Sequence, residues 1–88
     1  MYLHLGADTV VRGKDVIGVF DMDNTTTAAS TRKFLNMAEK EKRLINISEE
    51  LPKSFIVVGN RNRSDVYIST VSSQTIEKRS GRKLILDT

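Results

Sequence analysis

Asp21 and Asp23 are the residues of this chain whose types and spacing most readily suggest chemistry. They follow an apolar run, Val16-Ile17-Gly18-Val19-Phe20, are separated by Met22, and are followed by Asn24 and Thr25. Residues i and i+2 of an extended chain point to the same side. A buried strand ending here would present two carboxylates together, one as nucleophile and one as general acid/base. A divalent cation and a phosphate group could sit against them.

The Asp-x-Asp-x-Thr pattern resembles the first motif of haloacid dehalogenase-type phosphatases, but the rest of the chain argues against that chemistry. The resemblance implies a doubly wound parallel α/β domain with several crossover helices. A chain of 88 residues leaves room for one long helix. A later Lys and a later acidic pair at a strand end are also implied. Lys53 and Lys83 exist, but Glu49-Glu50 falls just before Pro52, in a segment that reads as a turn. Phe20 is therefore expected to end a strand and Asp21 to Thr27 to turn into a helix. The chain is not expected to be an enzyme, and no catalytic residue is assigned.

Other chemistries find little support. His4 is the only histidine, and nothing in the sequence pairs it with a nucleophile. Cysteine is absent, which removes disulfides and thiolate metal sites. The glycines, at 6, 13, 18, 59 and 81, are scattered, so no phosphate-cradling loop is formed. No metal, cofactor or small-molecule substrate is expected.

Basic residues are the remaining candidates. Residues 51–83 hold seven Lys/Arg against Asp65 and Glu77, a local balance of +5 in a chain that carries +3 overall. Arg61-Asn62-Arg63 gives two guanidinium groups at i and i+2 with an amide between them, several donors for phosphate oxygens at a hairpin tip. The alternative is an ordinary solvated loop. Lys78-Arg79 and Arg82-Lys83 form a second cluster around Gly81, and solubilising charge near a C-terminus accounts for it equally. Neither cluster is interleaved with aromatics, which leaves a base-stacking, single-strand surface without support.

The elements that position these residues are short. Tyr2–Leu5 and Thr9–Arg12 read as a hairpin turning at Ala7-Asp8. Val16–Phe20 is a strand with Gly18 at a bulge or a close backbone approach. A helix is expected from Thr31 to Lys42, capped by Ser30 or Thr27, with Phe34, Leu35 and Ala38 as its apolar stripe. Glu39 and Arg43 suit an i,i+4 pair, and Lys40, Lys42 and Arg43 suit the helix C-terminal dipole. Strands follow at 44–47, 54–58 and 66–70, the second rich in β-branched residues. Ser72 or Ser73 would cap a short helix through Arg79, with Gly81 at its C-terminal cap, before a last strand at 83–86. The fold class is α+β: one small domain over residues 1–88, mostly antiparallel short strands packed on one main helix plus a short C-terminal helix.

Such a domain buries only about 60% of its unfolded surface. Lacking cysteine staples, it is the kind of chain that leans on oligomerisation, which first suggests a homo-oligomer. No apolar run is long enough for a membrane span. Met1–Gly6 shows neither the basic region nor the cleavage site of a signal peptide, so a cytoplasmic location is expected.

Four segments together resemble the RemB branch of the extracellular matrix regulator family. They are Met1–Gly6, Ile17–Asp21, Pro52–Val58 and Tyr67–Arg79, and the likeness runs from Met1 to about Arg79. The resemblance implies a small cytoplasmic bacterial regulator of matrix and biofilm genes. Its sister branch, RemA, binds DNA and assembles as a ring of identical subunits. The sister's basic loop carries adjacent arginines before the strong β-strand, where this chain reads Glu50-Leu51-Pro52-Lys53-Ser54. The partners expected are duplex DNA and further copies of the chain in a ring. Lys53, Arg61 and Arg63 are the DNA-contacting candidates. An oligomeric protein-interaction module without DNA binding is the alternative.

Overall fold

Alternation of side chains along each apolar run decides which faces of the strands are covered. The computed structural model describes residues 1–22, 29–60, 62–81 and 83–85. Tyr2–Gly6 (β1) and Thr9–Arg12 (β2) pair antiparallel, Leu3 opposite Val11 and His4 opposite Val10, with a register shift between His4 and Gly6. Leu3, Leu5 and Val11 are buried, whereas Tyr2, His4 and Val10 face outward, as the period of two requires. A 3₁₀ turn at Gly13–Asp15 leads out of this hairpin.

Val16–Asp21 (β3), Leu44–Asn46 (β4), Ser54–Gly59 (β5) and Ser64–Ser69 (β6) form a four-stranded sheet in the order β3-β5-β6-β4. β5 is antiparallel to both neighbours, and β4 runs parallel to β6. The β3–β5 register shifts between Val16 and Gly18, which places a bulge where Gly18 interrupts the run.

The sheet lies between two layers. Helix α1, Ala29–Lys40, sets Ala38, Phe34 and Leu35 against Phe55, Val57, Val66 and Ile68 on one face. The β1–β2 hairpin and helix α2, Ser73–Ser80, cover the other, where Ile56 and Val19 meet Leu3, Leu5, Val11 and Ile76. β5 is thus buried on both faces, and this is why Phe55 to Val58 reads as an unbroken apolar run instead of alternating. Phe20 and Phe55 stack with ring centroids 4.7 Å apart. Two buried hydroxyls link strands and loops. Ser69 Oγ donates to the Leu5 carbonyl at 2.6 Å and accepts from the Val71 amide at 2.9 Å. Ser54 Oγ donates to the Val71 carbonyl at 2.7 Å. The α+β class is as expected.

Several local expectations are corrected. The main helix begins at Ala29 and ends at Lys40, so Ser30 lies inside it and does not cap it. Thr27 is outside the described residues. The helix stops because Lys42 turns left-handed, with φ +59°. The Arg43 amide donates to the Ala38 carbonyl and the Lys42 amide to the Glu39 carbonyl, the paired bonds of a Schellman ending. That turn carries the Arg43 side chain to Glu41 and Ser64 instead of Glu39. β3 extends one residue past Phe20, to Asp21. Of the expected last strand, the described residues show a single parallel bridge from Ile85 to Val19, and Leu86 is outside them. The second helix is as expected, with Ser72 Oγ accepting from the Thr75 amide and Gly81 left-handed at its end.

Candidate nucleic-acid interface

Asp21 is the described member of the acidic pair. Ser73 Oγ, at the first turn of α2, lies 3.4 Å from its Oδ2. A carboxylate there suits the positive end of α2. Asp23, Asn24 and Thr25 are outside the described residues. Among the described residues, no group of three or more His, Cys, Asp or Glu is placed to hold a metal ion.

The basic residues are sorted by the strand directions. β5 ends, and β3, β4 and β6 begin, at the same end of the sheet. The β5–β6 turn and the α1–β4 turn are therefore neighbours there. Arg63 comes from the first turn, and Lys40, Lys42 and Arg43 from the end of α1 and the second. Lys53 precedes β5 and lies at the opposite end, roughly 20 Å away along a six-residue strand. One copy therefore does not join Lys53 and Arg63 into a single patch. Arg61 is outside the described residues. The Lys53 backbone is built into the sheet end: its amide donates to Ser69 and its carbonyl accepts from Met22.

The turn that presents Arg63 is built by its own residues. Gly59 sits at φ +143°, and a Cβ there would lie 2.3 Å from the Arg63 carbonyl oxygen, so the tight approach of the two strands needs glycine. Asn60 Oδ1 accepts from the amides of Asn62, at 2.8 Å, and Arg63, at 3.2 Å, and fixes the loop from within. Arg63 stays 70% exposed, with its Nε 3.7 Å from Asp65 Oδ1.

Arg43 is held differently. Its Nη1 donates to the Ser64 carbonyl at 2.6 Å and to Ser64 Oγ at 3.1 Å. Nη2 and Nε both reach Glu41 Oε1, at 2.7 and 3.0 Å. The side chain is only 17% exposed. Arg43 therefore ties the two turns together across 21 positions of sequence. The sequence pattern suits Arg43 to an i,i+4 pair with Glu39 and to the helix dipole, and no local spacing signals so distant a partner. Between the turns lies an open cleft of about 500 Å³ lined by Glu41, Arg43, Asn60, Asn62, Arg63 and Ser64.

The second basic cluster has a partly structural use. Arg79 Nη1 donates to the His4 carbonyl at 3.1 Å, docking α2 on β1. Glu77 Oε2 accepts the amides of Leu84 and Ile85, each at 2.7 Å. The Ile85 and Leu84 amides hold its carboxyl below the usual carboxylate range. Arg82 is outside the described residues.

The family model for extracellular matrix regulatory protein A-like proteins matches residues 2–79. The chain belongs to that family, a class of small regulators. It is also similar to Extracellular matrix regulatory protein B of Bacillus subtilis (strain 168), at 31% identity over 80 residues, covering 91% of this chain and 90% of that protein.

Proposed function

We propose that this protein is a cytoplasmic, homo-oligomeric regulator that binds duplex DNA through the end of the sheet bearing Arg63, Lys40 and Lys42. Family membership supports the regulatory role. The observation that carries the DNA reading is the convergence of two turns on that end, which gathers Lys40, Lys42, Arg43 and Arg63, with Glu41 and Asp65 among them. Arg61 is a candidate on its sequence position beside Asn62 alone. One copy measures 31 × 27 × 25 Å, less than a turn of duplex at about 34 Å, so it reaches few phosphates. Repetition around an oligomer multiplies those contacts by avidity. Sequence preference would then come mainly from DNA shape and bending.

A salt titration tests this. Each neutralised phosphate contributes about −0.9 to the slope of log K against log salt, so three contacts per copy give roughly −3. The double change Arg61→Ala with Arg63→Ala should weaken binding and flatten that slope without altering oligomer size. Absence of duplex binding by the parent protein at low salt would overturn the DNA reading.

A second reading, a protein-interaction module, is favoured by Leu51, which is 83% exposed between Glu50 and Pro52 at the opposite end. Neither reading assigns catalysis. Hydrolysis of a general phosphate ester in magnesium should stay at background. Activity that disappears in Asp21→Asn would contradict this.

A further inference from the structure

The cleft between the two turns has the chemistry of a phosphate seat that already holds an anion. Arg43 is oriented by Ser64, which takes Nη1, and this turns its Nε/Nη2 edge toward Glu41. That edge of a guanidinium binds carboxylate and phosphate oxygens by the same geometry. Glu41 Oε1 thus occupies the place a phosphate oxygen would take, and Glu41 is itself 55% exposed. Across the cleft Arg63 is held loosely. Its 3.7 Å approach to Asp65 exceeds a hydrogen bond, and the pair is solvated, so it exchanges at little cost. Asn60 spends its carbonyl oxygen on the loop amides, which leaves its NH₂ group as a donor.

We propose that this cleft seats the sugar–phosphate ridge of a duplex strand. A phosphate replaces the Glu41 carboxylate on Arg43, and Arg63 closes on it from the hairpin side. Glu41 is then a resident anion that sets the affinity of the site. The cleft, about 500 Å³ and open to solvent, is wide enough to admit a phosphodiester. All six lining residues are polar and none is aromatic, so the cleft offers no aromatic stacking platform and its donors suit phosphate oxygens. A polymer continues beyond the cleft toward Lys40 and Lys42. This rests on the DNA reading and specifies where and against what competitor the backbone binds.

Fluorescence anisotropy of the full chain with a labelled duplex at low salt tests it. Glu41→Gln should tighten binding several-fold. It should also steepen the salt slope by about one, because the Arg43 charge is then no longer offset by Glu41 and one further counterion is displaced from the DNA phosphates. Glu49→Gln, the same charge change at the opposite end, should alter neither quantity. Arg63→Ala should weaken binding and flatten the slope by about one. Should Glu41→Gln not fold, the parent's Arg43 side-chain Nε–H resonance decides: a shift on titration with duplex supports the exchange, and an unmoved resonance overturns it. Parent-like behaviour of Glu41→Gln and Arg63→Ala, or an equal response of Glu49→Gln, overturns the cleft while leaving DNA binding intact. A parent protein that binds no duplex removes the DNA reading itself.

Discussion

Lys42 holds a left-handed conformation in which an L side chain crowds its own backbone, at a cost of roughly 1–2 kcal/mol. Glycine avoids that crowding but carries more unfolded-state entropy, about 0.5–1 kcal/mol. Lys42→Gly should therefore stabilise the fold by about 0.5–1 kcal/mol, seen as a rise of a few degrees in Tm. The same change should weaken duplex binding, which separates a cation kept for its charge from one kept for its shape. Ser69 is the opposite case. Its buried hydroxyl satisfies the Leu5 carbonyl and the Val71 amide, so Ser69→Ala leaves two polar groups without this partner. A loss of about 2–3 kcal/mol in urea unfolding is expected. Neither role could be read from the residue type. A lysine after a helix reads as dipole chemistry and a serine in a strand as an exposed position, until the backbone angle and the facing strand are known.

At the scale of elements, the chain's punctuation was legible where the signal is local. Ser72 and Gly81 bracket α2 because a hydroxyl cap and a left-handed residue are chemical requirements of helix ends. The end of α1 was misplaced because the left-handed residue there is a lysine, which carries no such signature. The C-terminal segment is held to the sheet by tertiary contacts. Leu84 and Ile85 lie on the edge of β3, with the Val19 amide donating to Leu84, and the Glu77 carboxylate binds both of their amides. Glu77 has its carboxyl lowered from 4.5 in the fold, so its contribution is present above that pH and is lost as pH falls through the lower folded value. The amide proton shifts of Leu84 and Ile85 should titrate together with a midpoint below 4.5. A midpoint at or above that value would mean that the carboxylate does not hold them.

At the scale of the whole molecule, the small sheet leaves edges and apolar side chains at its surface. β4 is only three residues long, β3 is bridged beyond the sheet at Val19, and Tyr2, Val10, Ile17 and Leu51 are all at least half exposed. Edges of this kind are covered in stable proteins, and heterologous contacts between copies close into rings when the rotation allows. Light scattering should give a defined multiple of 9.9 kDa at micromolar concentration; a monodisperse monomer would count against assembly. The sequence by itself determined the α+β class, the main strands, the second helix and the family, since periodicity, caps and a near full-length likeness are properties of the chain read in order. Only the tertiary structure decided which charges stand together. Lys53 and Arg63 are ten positions apart yet sit at opposite ends of β5, because an extended strand carries its two ends apart. Arg43 and Ser64 are 21 positions apart yet bonded, because β4 and β6 run side by side in the same direction.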